Sequence, residues 1–546
     1  TVTLELTGSF TPKKDPVKVN TEYNEEYFNS LEENPIDEAL LQFTDYSAAD
    51  APDGKTAGRW LTGINMNADY ATMITGINDN AVARARYFEG HALIVPERVN
   101  GSTIVGINLA DRGTDINTVR STTAAYSLLK MVKIPKNIKA IKEGSFYGMS
   151  SLEYLNTPFI GTARGSSGIG LNYTIKDVMD NGGRERPTSY PFGSMFGKAF
   201  HYTDTEGMWT INNQTSFWFK WVWSNDSKTS GTEGIVDYTD YKLGIGEGNS
   251  EVLGVKWQEI SGDNTTENSP ASPDFEFLLP RSLKWLIVFD DTIIGNNALT
   301  SCPAQHIEIP TFNGASLLFG NYALSECVEA KEIILPTKPN VSFRKGTFNM
   351  CQKLEKLILP PGLTDITTGM LYNALNLKIL VMPASIISIG NGAFTGCGAL
   401  ERIALYSGND SSKITGDYDA DLANGVVLNS SYKFNLPAAL RTIGANAFEN
   451  CNNMNDLNVP ATVQTIGFAA FAGCYNLEKV VLPFIGAHSD RCGGENAKHD
   501  CSLDALGGDL GFHGLFGWIF GTTGSVENTY QATQHYLNED GGEERY

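Results

Sequence analysis

Along most of this chain apolar and polar residues alternate in short runs, and each run stops at a proline. Leu354, Leu357 and Leu359 lead into Pro360 in this way. The pattern predicts a strand with one buried face, because successive side chains point to opposite sides of the pleat. Proline then removes a backbone donor, ends the strand and sets a turn. A second short apolar stretch follows, as in Ile386, Ile387 and Ile389, and a glycine-rich corner leads into a phenylalanine.

The pattern recurs with a fixed period. Cys451 and Cys474 lie 23 residues apart, as do Phe448 and Phe471, and Pro437, Pro460 and Pro483 step by the same interval. Cys351, Ala374 and Cys397 keep that frame, as do Phe348, Leu371 and Phe394. Further copies pass through Ile134-Pro135, Leu279-Pro280, Ile309-Pro310 and Leu335-Pro336. No unit can bury its apolar face alone, but stacked units bury it against one another. The expected fold is a mostly β solenoid of parallel strands built on an α/β-type repeat. Phe146, Phe348, Phe394, Phe448 and Phe471 are expected to form an aromatic ladder inside it, each buried ring contributing roughly 1.5–3 kcal/mol.

The unit at 436–451, L-P-A-A-L-R-T-I-G-A-N-A-F-E-N-C, resembles the BspA-like class of leucine-rich repeats. Residues 387–405, 443–459 and 466–482 follow that class closely, and the resemblance covers about 90–160 and 275–485. It implies a right-handed leucine-rich-repeat solenoid, export, and a role in adhesion or in host or matrix binding. The periodicity alone implies only the solenoid.

The repeat is interrupted. Residues 1–66 lack it and are read as an N-terminal cap or arm, with a strand over 1–7 and a helix within 22–43. A first repeat block occupies 67–160, an aromatic-rich island 161–274, a second block 275–485 with a polar insertion at 406–436, and a second island 486–546. The islands echo each other. Pro158-Phe159-Ile160-Gly161 returns as Pro483-Phe484-Ile485-Gly486, and Gly193-Ser194-Met195-Phe196-Gly197 returns as Gly517-Trp518-Ile519-Phe520-Gly521. The chain starts at Thr1 rather than Met and stops at Tyr546 without re-entering a repeat, so a processed or longer native polypeptide is expected.

Composition narrows the function. Hydrophobic residues make up 41%, enough for a sizeable core, and the formal net charge is -21. An acidic surface repels phosphate backbones and anionic headgroups, so nucleic acid and membrane surfaces are poor partners. No apolar run is long enough to span a bilayer.

Several clusters are candidates for chemistry. Five of the eight tryptophans fall in the first island, and Trp209, Trp218, Trp221 and Trp223 are candidate ligand-binding residues for a glycan or a protein. The same aromatic run also fits the core strand that an inserted subdomain needs. His488, Asp490, Cys492, His499 and Cys501 fall in one short loop. They suit a Cys492–Cys501 disulfide, free thiols or a zinc site of unusual spacing. Asp417, Asp419 and Asp421 alternate as calcium ligands can, but the EF-hand frame fails, and a solvated acidic loop fits better. The other six cysteines, Cys302, Cys327, Cys351, Cys397, Cys451 and Cys474, read as small buried hydrophobes. Neither Gly165-Ser166-Ser167-Gly168 nor the glycines at 244, 246 and 248 fits a nucleophile elbow or a dinucleotide loop.

No catalytic residue, cofactor or resident metal is therefore expected. The reading is a secreted or cell-surface binding or adhesion protein, taking a protein or glycan ligand at a host, matrix or neighbouring-cell surface. The alternative is a structural assembly protein of a surface layer, filament or virus-like particle, and self-association is open to either.

Overall fold

The computed structural model describes residues 25–64, 88–109, 126–168 apart from 127, 147, 148 and 150, 191–196, 279–488 apart from 281, and 518–521. It also gives the backbone of the strands between 198 and 278, of residues 516–517, and of the strands at 535–537 and 543–545.

The strands that lead into the prolines form one sheet of nine, in the order Arg402–Tyr406, Ile379–Pro383, Lys356–Ile358, Glu332–Ile334, His306–Glu308, Trp285–Val288, Tyr154–Thr157, Met131–Lys133 and Ala92–Ile94. All of its pairings are parallel. The register sets like residues side by side. Leu286 pairs with Ile307 and Ile307 with Ile333, and farther along Leu357, Leu380 and Ile403 stand in file. These six side chains point inward and are buried. Beyond Arg402–Tyr406 the sheet continues through single bridges, Ile403 to Phe434 and Asn435 to Asn458, into the pair Asp456–Asn458 and Lys479–Val481.

The second apolar stretch of each repeat forms its own ladder. Asp365–Ile366, Ser388–Ile389, Thr442–Ile443 and Thr465–Ile466 pair in parallel, and the isoleucine of each is buried. A glycine follows the last three, and close approach explains it. A Cβ on Gly390 would lie 2.5 Å from Thr368 N, on Gly444 2.5 Å from Asn391 N, and on Gly467 2.2 Å from Ala445 N. Only glycine lets one coil's backbone lie against the next at this corner.

The phenylalanine corner then passes a set of backbone hydrogen bonds to the next repeat, one of them from the phenylalanine itself. Phe394 N–H donates to Ala447 O, Phe448 N–H to Ala470 O and Phe471 N–H to Ile519 O. Inside this ladder the aromatic file is shorter than the sequence suggests. Phe394, Phe448 and Phe471 stack at 4.9 and 5.3 Å between ring centroids. Leu371 fills the rung before Phe394, so Phe348 instead meets Phe343 at 5.5 Å, and Phe146 meets Phe196 edge-on at 5.9 Å. The six repeat cysteines are buried, as their repeated context implies, and the thiols of Cys327, Cys351, Cys397, Cys451 and Cys474 also act as donors. The Sγ–H of Cys397, Cys451 and Cys474 donates to the carbonyl of the preceding rung, Leu371, Phe394 and Phe448 respectively. Burial pushes the Cys302, Cys397 and Cys474 thiols up to about 12. A thiol held protonated in this way is a poor nucleophile.

The echoed pentapeptides of the two islands have a shared structural role. Helices Pro191–Phe196 and Phe516–Phe520 stand where a repeat's corner would stand, since Phe146 N–H donates to Met195 O as Phe471 N–H does to Ile519 O. Each island returns one rung to the solenoid. Past Pro191–Phe196, the first island's backbone forms an antiparallel-rich five-stranded sheet and a separate hairpin.

At the other end the helix is shorter than 22–43. It spans Glu25–Glu32, because Pro35 disfavours helix before it and residues 34–36 instead pair with Ala92 at the edge of the main sheet. Leu41–Tyr46 and Gly58–Ile64 join Ser102–Ile107 and Ala140–Ile141 in a separate sheet. The strand expected over 1–7 lies outside the described residues.

Truncating Phe448 to Ala should lower the unfolding free energy by about 3–5 kcal/mol, read from the urea midpoint at unchanged slope. Tyr372→Ala, at a 38% exposed residue beside the Leu371 rung, should cost no more than about 0.5 kcal/mol.

Candidate functional site

Each strand of the main sheet also has outward residues, and two lids cover most of them. At one end, helix Glu25–Glu32 lays Phe28 and Leu31 on Ala92, Met131, Tyr154 and Trp285. Phe28 meets the Tyr154 and Trp285 rings at 5.4 and 5.2 Å, and Glu32 bonds Lys133 Nζ at 2.5 Å. At the other end, the insertion at 406–436 folds back over the sheet. Tyr406, Ile414 and Val427 pack on Val381 and Ala404, with Ile358 and Ile379 at the margin. The Arg402 guanidinium sits 3.8 Å from the Tyr418 ring centroid, and Lys356 Nζ donates to Thr415 O at 2.7 Å.

The insertion is held by a carboxylate that sequence reasoning placed in solvent. Asp421 is 1% exposed, and it accepts from Thr415 N–H, Thr415 Oγ1–H and Gly416 N–H. Asp417 caps the short helix Tyr418–Ala423 by accepting from Ala420 N–H, while Asp419 is exposed. The three carboxylates therefore serve different partners. No group of three or more His, Cys, Asp or Glu suited to a metal occurs among the described residues.

Between the lids lie His306–Glu308 and Glu332–Ile334, whose outward residues join neither apolar cluster. His306 has a side chain only 3% exposed, with Nδ1 3.0 Å from Glu332 Oε2 and Nε2 3.5 Å from Glu308 Oε2. Its ring meets that of Trp285 at 5.0 Å. Burial works to depress the His306 pKa, but the hydrogen bonds and charges of Glu308 and Glu332 outweigh it and raise the group above its ordinary range. The Glu332 carboxyl is held below its ordinary range by the same hydrogen bond, despite burial. The result is a polar strip with two partly exposed carboxylates, a sequestered imidazole and half-buried Ile334. Sequence reasoning passed over these residues. Their signal is the polar partner of the alternation, as in H-I-E-I-P at 306–310, where His306 and Glu308 flank the inward Ile307.

Trp209 lies on Trp209–Ile211 in the five-stranded sheet, while Trp221 and Trp223 lie on Phe219–Trp223 in the hairpin. Trp218 lies outside the described residues, as do Asp490, Cys492, His499 and Cys501 of the thiol and imidazole loop. His488 is described, exposed and 3.4 Å from Thr465 Oγ1.

Residues 104–165, 282–401 and 428–488 match the BspA type leucine rich repeat region, in six copies. No curated protein matches the sequence. Among solved structures, the chain is similar to a T. pallidum leucine rich repeat protein, with 20% identity over 35% of this chain and 77% of that one and a TM-score of 0.26. It is also similar to a leucine rich cell surface protein from Faecalibacterium prausnitzii A2-165, with 22% identity over 37% of this chain and 61% of that one and a TM-score of 0.22. A leucine-rich repeat protein from Bacteroides ovatus ATCC 8483 shares 14% identity over 82% of this chain and 88% of that one, with a TM-score of 0.27.

The strip has a pH signature. His306 is raised above 6.5, so its stabilisation is whole below 6.5 and is lost as pH rises through the raised value. Glu332 is lowered below 4.5, so its share is whole above 4.5 and is lost as pH falls through the lowered value. The wild-type melting temperature should therefore fall more steeply above pH 6.5 than that of His306→Gln. Parallel curves for the two proteins in that range would count against the assignment.

Proposed function

We propose that this chain, which carries BspA-type leucine-rich repeats, is a binding scaffold displayed at the cell surface or secreted, and that it holds a protein partner on the open strip of its main sheet. The observation that carries this reading is the pair of lids. A sheet face covered at both ends and left polar in the middle is a bounded recess, not a uniform surface. The covered strands Trp285–Val288 and Lys356–Ile358 stand three strand spacings apart, about 14 Å. Such a recess admits a protruding loop or a chain terminus rather than a flat protein face. Glu308 and Glu332, on a chain of net charge -21, favour a segment carrying Lys or Arg and speed its encounter. Ile334 offers an apolar contact beside them, where truncation effects concentrate in bound interfaces.

In this reading the scaffold recognises and does not catalyse. Residues 1–66 act as the cap, 67–160 and 275–485 as the repeat blocks, and 161–274 and 486–546 as the islands. The insertion at 406–436 serves as a wall of the recess rather than as a free recognition loop. Adhesion to a host, matrix or neighbouring-cell surface is the role that such a recess on an exported protein serves. Trp209, Trp218, Trp221 and Trp223 are candidates for a second contact.

The test uses the full chain on immobilised extracellular-matrix proteins and on intact epithelial cells. Binding should be saturable, and Ile334→Arg should weaken it at least about tenfold, or 1.4 kcal/mol. Exposed Ile387→Arg, on the second ladder, should leave it unchanged. Equal affinity for wild type and Ile334→Arg would remove the strip as the contact surface.

A further inference from the structure

The middle of the open strip carries a titratable group that recognition of a basic segment does not itself require. The His306 ring stands between two carboxylates, with Nδ1 3.0 Å from Glu332 Oε2 and Nε2 3.5 Å from Glu308 Oε2. Glu308 lies two residues on along the same strand, and Glu332 pairs with His306 across the parallel ladder. On the other flank Trp285 pairs with His306 and sets its ring 5.0 Å from the imidazole. Beyond Glu332 stands Lys356, whose Nζ is turned to Thr415 O. Beyond Trp285 stands the Tyr154 phenol, which burial holds above its ordinary range. Lys284 precedes Trp285, and in the helical lid Glu32 is held by Lys133.

A protonated imidazole has two N–H donors and serves both carboxylates, whereas a neutral one has a single N–H. The shorter contact keeps that proton on Nδ1, toward Glu332, and Nε2 then turns a lone pair to Glu308 Oε2. Two acceptors facing each other repel, so loss of the proton releases Glu308, whose side chain is 24% exposed and free to turn outward. With the imidazolium present, one of the two carboxylate charges is balanced. Without it, both stand uncompensated on the strip. Burial opposes the ring's charge, but the carboxylates overcome it, and His306 titrates above its ordinary range.

We propose that His306 is a proton switch for binding at the strip: protonated, it ties Glu308 and Glu332 to itself, and deprotonated, it yields Glu308 to a Lys or Arg of the bound segment. The switch rests on the strip being the contact surface and adds its regulation. A cation held at Glu308 disfavours the imidazolium, so the bound chain holds fewer protons at His306 than the free chain. Affinity for a basic segment therefore rises as pH rises through the His306 value and falls on acidification, by at most about tenfold per pH unit for one proton. The bound segment in return moves the His306 titration to lower pH. A His306 that served only the fold would lower stability and binding together as it lost its proton. A switch lowers the first and raises the second.

The isotopically labelled full chain should be titrated with N-acetyl-tetralysine amide from about pH 6 to about pH 9, a range in which lysine side chains stay charged. Binding is read at the Trp285 indole resonance, beside the switch, and protonation at the His306 ring resonance. The wild-type dissociation constant should tighten at least about fivefold across that range, and saturating peptide should lower the pH at which His306 titrates. His306→Gln, checked for folding by its melting curve, should bind with a constant that does not change with pH, and Glu308→Gln should remove the wild-type gain. The wild-type series decides the outcome even where His306→Gln does not fold. A wild-type constant that stays level or weakens as His306 loses its proton would overturn the switch and leave the strip as the contact surface, as would a His306 ring that keeps one protonation state throughout. No response at Trp285 at any pH, with peptide at about 10 mM, would overturn both.

Discussion

The contact on which this molecule depends is the approach of one coil's backbone to the next at the isoleucine–glycine corner. Gly390, Gly444 and Gly467 leave no room for a Cβ, and the corner beyond each passes a hydrogen bond to its neighbour. With the backbones so close, inward residues of successive strands fall into file, and each file becomes a continuous interior. The period is therefore rigid where the coils touch. It is free elsewhere, and the chain uses that freedom at one place in the repeat. The first island begins after strand Tyr154–Thr157, the insertion after Arg402–Tyr406 and the second island after Lys479–Val481. Each departure begins just past the end of a strand, before the corner.

These departures turn a repetitive surface into a particular one. The insertion folds back as a wall, anchored by buried Asp421 and by the Arg402–Tyr418 stack. The N-terminal helix makes the facing wall with Phe28 and Leu31. Between them only His306, Glu308, Glu332 and Ile334 stay outward without an apolar cover. The candidate surface thus arises where the repeat's surface pattern changes while its interior does not.

The interior was legible in the sequence because burial acts on every coil alike. Its columns of leucine, isoleucine, phenylalanine and cysteine repeat at 23 residues, and the echoed pentapeptides marked both returning rungs. The features that were not legible depend on contacts between distant segments. Nothing local to Asp421 shows that Thr415 and Gly416 turn their N–H groups to it. The helix at Glu25–Glu32 stops early because residues 34–36 are recruited by a sheet edge near Ala92, far away in sequence. Leu371 breaks the aromatic file, since any large apolar side chain fills a rung and the ladder's hydrogen bonds do not read its identity. The outward residues of the strip escaped notice because a polar residue on an alternating strand reads as solvent-facing until the lids are known.

The central claim, that successive coils share one interior in a fixed register, is tested most directly by removing a single period. Deleting 443–465 takes out 23 residues and rejoins Thr442 to Ile466, which restores the T-I-G corner. The shortened chain should unfold cooperatively and keep slow amide exchange at Phe394 and Phe471. Deleting 443–453 removes about half a period and should abolish that protection. If both deletions were tolerated equally, or if the full-period deletion unfolded the chain, the shared interior would be contradicted.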